Sequence, residues 1–244
     1  MQKLNYNSTG EISQKIFIKT KDSNLIFNNS SNYNNITLQL KQPIIKANSD
    51  YVFLISLNHI QIPVSWFIIS SYNGNNTIVY TLNGSTYTYI IPDGNYTALD
   101  LMTLLDTNLL LSVTFNIVTY QFTFTHTTYN FTITNETTCY NELGFYNESY
   151  TSSSLSLTSE RPADLTGTQS IYIRTNFTTK NIDSTNGLST SNILDVVPVD
   201  VDNFNILKYS NYEGYKVQIT DSYITHIDVV ITDDNGNEID IKNH

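Results

Sequence analysis

Apolar residues along this chain recur mostly with a period of two. Ile36, Leu38 and Leu40 alternate with polar partners, as in a half-buried strand. Residues 51–62, YVFLISLNHIQI, follow as a long strand expected to bend near Asn58-His59 and to end at Pro63, which has no N–H for a ladder. Segments 66–70 and 77–82 read as strands split by Tyr72-Asn73-Gly74-Asn75. Asn83-Gly84, set between 79–82 and 86–89, is the strongest hairpin signal in the chain. Phe115, Ile117, Tyr120, Phe122 and Phe124 carry the alternation through 113–131. Beyond Arg161, short runs of Ile, Val, Tyr and Thr predict strands near 168–176, 194–199, 205–210, 214–219, 222–232 and 238–241.

One stretch has helical period. Pro92-Asp93-Gly94-Asn95 turns the chain, Thr97 and Asp100 stand at capping-box spacing, and Leu101, Leu104, Leu105 and Leu109 form one apolar stripe. A helix this short is marginal alone, so the stripe must lie on a sheet. A single helical turn is expected at 139–145, stopped by Gly144. Residues 146–160 and 177–192 read as long surface loops. Residues 1–34 read as a polar N-terminal arm, interrupted by Ile16-Phe17-Ile18 and suited to pair with or lie beneath a neighbour. With no visible repeat or linker after it, residues 35–244 are expected to form one all-β domain, a sandwich or barrel.

Composition narrows the classes of function. Only 14% of the 244 residues are charged, against roughly 25% in a typical soluble domain. The polar share falls to Asn, Thr and Ser, which suits protein packed against protein and equally reflects AT-rich coding. The net charge of −10 argues against general or sequence-specific nucleic-acid binding, which needs cationic side chains. That charge is uneven: residues 1–46 carry six Lys against Glu11 and Asp22, and no Lys or Arg occurs between Ala47 and Glu160. The basic start is either a solvated tail or an arm that crosses an acidic neighbour or faces packaged genome. Cys139 is the only cysteine, so no disulfide framework forms within the chain. No apolar stretch of ~18 residues is available to span a membrane, and the opening residues lack a signal-peptide core.

Candidate chemistry is sparse. His59, His126, His226 and His244 show no ligand spacing, and Cys139 lies in no nucleophile signature. Asp200-Val201-Asp202-Asn203 and 233–240, DDNGNEID, have the oxygen density that Ca²⁺ favours. In the second, the glycine falls too early for an EF-hand loop, and Asn235-Gly236 more simply closes a hairpin between 228–232 and 238–241. No catalytic, cofactor or metal residues are therefore assigned, and no enzyme is expected. The Tyr, Thr and Asn of the loops leave a glycan-binding surface open as an alternative.

Three segments carry a resemblance. The first is Ile90-Ile91-Pro92-Asp93-Gly94-Asn95-Tyr96-Thr97 with its Leu-striped helix. The second is 164–176, DLTGTQSIYIRTN, with 192–199, NILDVVPV. The third is 227–233, IDVVITD, with its Asn-Gly turn and Glu238-Ile239-Asp240. In this order they resemble the penton, or minor capsid, proteins of virophage- and polinton-type double-stranded DNA viruses. The resemblance implies a single jelly roll of two four-stranded antiparallel sheets, with no catalytic residues to transfer. It also implies homopentamers at the icosahedral vertices beside double-jelly-roll major capsid trimers, in virions assembled in cytoplasmic factories of the host. A host receptor or glycan at loops 141–160 and 177–192, as on a viral fibre head, is the alternative reading. Assembly of acidic subunits is expected to depend on salt or cations.

Overall fold

The computed structural model describes residues 15–19, 25–28, 33–45, 52–183 and 189–242. In chain order the elements are β1 (Leu25–Phe27), β2 (Asn35–Ile45), β3 (Phe53–Ile55), β4 (His59–Pro63), β5 (Thr77–Leu82), β6 (Ser85–Ile90) and α1 (Ala98–Asn108). Then follow β7 (Ser112–Asn116), β8 (Gln121–Thr125), β9 (Phe131–Ile133), α2 (Tyr140–Leu143), β10 (Tyr150–Thr151), β11 (Ser156–Thr158) and β12 (Ser170–Thr175). The last are β13 (Ile182–Asp183), β14 (Ser189–Thr190), β15 (Ile193–Pro198), β16 (Ile206–Ser210), β17 (Val217–Ile219) and β18 (Tyr223–Thr232). The chain is all-β and antiparallel, as its alternation predicts.

The first and last parts of the chain build a jelly roll. One sheet runs β1-β2-β18-β12-β15. Opposite it, β16 pairs with β4 and β17 with β3, one long strand pair broken where 56–58 bend. Thr179 bridges Ile219, and the Lys180 N–H reaches the Gln218 carbonyl at 3.2 Å, which joins β17 to the chain leading into the β13–β14 hairpin. Taken in chain order as B to I, the strands β2, β3/β4, β12, β13, β14, β15, β16/β17 and β18 fall in B-I-D-G and C-H-E-F order, the two sheets of a jelly roll. Ile62, Trp66, Ile171, Val197, Leu207 and Ile231 fill one end of the space between the sheets, and Phe177, Ile219, Ile224 and Ile227 the other. The arm is ordered where it meets this sheet: Leu25–Phe27 pairs with β2 of its own chain.

The expected domain over 35–244 holds more than one core. Between β4 and β12, residues 67–166 form a second β unit with its own core, which shares no buried side chain with the jelly roll's. A four-stranded sheet, β10-β9-β5-β6, and a three-stranded one, β11-β8-β7, enclose Phe122, Phe124, Phe131, Phe145, Ile69 and Ile78. The helix lies where its stripe demands, with Leu101 and Leu105 wholly buried and Thr97 as N-cap, its hydroxyl 3.2 Å from the Asp100 N–H. Asn83 and Gly84 adopt φ 48° and 78°, the left-handed pair that a two-residue hairpin requires.

Two predicted strands are absent because side chains replace their ladders. In 66–70, the Ile68 N–H donates to Asn95 Oδ1 (2.7 Å) and the Ser70 N–H to Asn75 Oδ1 (2.9 Å), leaving only an Ile69–Gly94 bridge. In 238–241, Asn34 Nδ2 donates to the Ile239 carbonyl and the Ser65 hydroxyl to that of Ile241, both at 2.8 Å. Conversely, the expected loops 146–160 and 177–192 contain the short strands β10, β11, β13 and β14.

Candidate functional site

The histidines stand on separate elements. His59 lies on the surface of β4, with Nδ1 2.9 Å from the Ser210 hydroxyl and Nε2 2.9 Å from Gln61. His126 accepts the N–H groups of Thr128 and Tyr129 at Nδ1, which folds the loop around it. His226 sits on β18 with Nε2 3.9 Å from Asp228, and His244 lies outside the described residues. Among the described residues, no three His, Cys, Asp or Glu gather in a group that could hold a metal.

The acidic run 233–240 is a turn. Asp233 Oδ1 accepts the N–H groups of Asn235 (2.9 Å) and Asn237 (2.8 Å), while the Asp233 N–H donates to the Asn237 carbonyl at 2.9 Å. One aspartate thus closes the loop through its own backbone, the physical reason for Asp at this place. Asp234 is exposed and points nothing inward, and Asp240 pairs with Lys242. Asp200 and Asp202 are exposed at a second turn, where the Asp202 carbonyl accepts the Asn205 N–H.

Burial shifts the chemistry of Cys139 and Glu142 in the inserted unit. Cys139 is wholly buried with its thiol directed at the Thr77 carbonyl, and burial pushes its ionisation far above the ordinary thiol range. It is therefore no nucleophile at neutral pH. Glu142 on α2 accepts from Asn75 Nδ2, and burial, reinforced by the charge of Asp164, holds its carboxyl above the usual carboxylate range. Neither group faces a basic or nucleophilic partner.

The surface of the described residues includes two concavities of note. A cleft of about 390 Å³ lies where the chain enters and leaves the inserted unit, lined by Val64, Trp66, Gly167, Gln169, Val201 and Asp202. A shallower depression of about 540 Å³ lies on the four-stranded sheet among Thr81, Asn83, Tyr129, Asn130, Thr132 and Thr151. There Tyr129 stacks on His126 with ring centres 5.7 Å apart, and the Thr132 and Thr151 hydroxyls meet at 2.9 Å.

The surface feature that sequence reasoning missed is an edge. Residues 67–166 carry eight Asp and Glu against Arg161 alone, so the inserted unit is acidic. Its strand β6 is a sheet edge with five of six residues exposed. The sequence of that strand, STYTYI, lacks the charge, proline or bulge by which proteins guard such edges. That lack was the available signal.

No helix among the described residues is long and apolar enough to cross a membrane. No family model matches the sequence, and no curated protein does. Among solved structures, the chain is similar to the crystal structure of selenomethionine-labelled mavirus penton protein, at 11% identity and a TM-score of 0.42, over 84% of this chain and 86% of that one. A likeness that distant leaves the fold to rest on the strand order itself.

Proposed function

We propose that the chain is a structural virion protein, a penton subunit forming homopentamers at icosahedral vertices beside major capsid trimers. The observation that carries this reading is the B-I-D-G and C-H-E-F strand order, an architecture that recurs in viral capsid proteins. The segments that resemble penton proteins fall in both units. IPDGNY leads into α1 of the inserted unit, 170–175 is the third strand of the roll, and 227–233 ends its last strand at the Asp233 turn. Fold-level analogy alone is a weak warrant for function; here the sequence motifs point the same way. The role proposed is structural.

A second reading has one specific observation in its favour. Tyr129 stacked on His126, beside Asn83, Asn130 and a row of threonines, offers an aromatic face with amide and hydroxyl groups around it, the chemistry that binds a sugar. On this reading the protein is a receptor- or glycan-binding head. Gold-labelled antibody against the chain, applied to purified particles, distinguishes the two. Label at the vertices is the expected result. Label absent from particles, together with glycan binding that Tyr129→Ala abolishes, would overturn the penton reading.

A further inference from the structure

Strand β6 ends its sheet with unfilled hydrogen-bonding positions. The Asn83-Gly84 turn makes Leu82/Ser85, Tyr80/Tyr87 and Ile78/Tyr89 the hydrogen-bonded pairs of the hairpin. Two observations agree with that phase: the Ile91 N–H donates to the Asn76 carbonyl at 2.7 Å, and the Val79 carbonyl turns the other way, to the Thr134 N–H, at 2.9 Å. The N–H and C=O groups of Thr86 and Thr88 therefore point away from the sheet. Several other edges are guarded. β7 gives its Val113 N–H to the Asp106 carboxylate at 2.8 Å, β15 carries Asp195 and Pro198, and β1, β10, β11 and β14 are three residues or fewer.

A second element is unfilled as well. Residues 15–19, Lys-Ile-Phe-Ile-Lys, set three strand-forming residues between two lysines but belong to no sheet. Their apolar side chains stay in water, Phe17 being 83% exposed and Ile16 40%. This basic, strand-like segment and the bare edge on the acidic inserted unit are complementary in charge and in backbone need. Within one chain neither fills the other, because the sheet order stops at β6.

We propose that residues 15–19 of one copy add as a strand to the β6 edge of a second copy, pairing beside Thr86 and Thr88. Main-chain hydrogen bonds supply the affinity, and Lys15 and Lys19 favour a unit of net negative charge. Arm and edge are different surfaces, so copies either exchange arms in pairs or join head-to-tail into a ring or filament. It requires association of copies, not any particular number of them or a capsid.

The test uses the full-length chain, whose single native cysteine is buried. Ile16→Cys, Phe17→Cys and Ile18→Cys proteins are each mixed with Thr88→Cys protein under mild oxidation. The expected result is a covalent dimer of one arm variant with Thr88→Cys that neither forms alone. Separately, Thr88→Pro removes an outward N–H without touching the hairpin's own bonds, so circular dichroism should be unchanged while association weakens at least tenfold. A Thr88→Cys protein that cross-links to itself would show edge-to-edge pairing instead. That result, or the absence of mixed cross-links with association unaltered in Thr88→Pro, overturns the proposal.

Discussion

Glu142 is held partly out of water on α2, with Asn75 as its hydrogen-bond donor at 2.5 Å. Because burial raises its pKa above the ordinary 4.5, the folded chain keeps a proton that the unfolded chain releases. Folding therefore takes up a proton as pH climbs above 4.5, and the stability associated with this group declines through that window. Glu142→Gln keeps the oxygen that Asn75 needs and removes the charge. The variant should melt higher than the native protein at pH 7, with the gap closing as pH falls toward 4.5; equal melting at both pH values would contradict this. Gly144, next to Glu142, shows the opposite kind of residue-level constraint. It sits at φ 80°, and a Cβ there would lie 2.2 Å from the Arg161 carbonyl oxygen, so no other residue fits without moving backbone.

At the scale of elements, the two cores make separate demands. Phe124 is wholly buried in the inserted unit, and Phe124→Ala should cost about 3–5 kcal/mol there. Hydrogen exchange is expected to rise in β5, β8 and β9 while β12 and β18 keep their protection; equal loss in both would mean one cooperative core. The alternation and the turn chemistry made many elements legible beforehand, among them the Asn83-Gly84 hairpin, the capped helix and the break near Asn58. The boundary of the inserted unit was not legible. Chain entering and leaving it is pinned rather than loose: Asn95 and Asn75 hold 68–70, and the Ala163 N–H bonds the Tyr120 carbonyl at 2.7 Å. No polar or glycine-rich linker marks such a crossing. Loop 146–160 hid its strands for a related reason. The Ser152 and Ser159 hydroxyls are buried and accept the Phe131 and Phe122 N–H groups, so serines that read as surface residues complete a ladder. Of the candidate sites, the Asp233 turn was legible from Asn235-Gly236. The β6 edge was not, because an edge is defined by which strands pair, a long-range property that composition does not carry.

Across the whole molecule, the all-β jelly roll expected from the sequence is altered by a second β unit carried in one connection. The capsid reading survives that change because the insertion occupies a single crossover, between β4 and β12, and leaves all eight strands of the roll in order. The insertion also places an acidic surface and the open edge away from the roll's own core. The most direct test is native mass spectrometry of the purified full-length protein. Five copies of the 27.7 kDa chain in one complex is the result this account predicts; a stable trimer, or a monomer at every concentration, would contradict it.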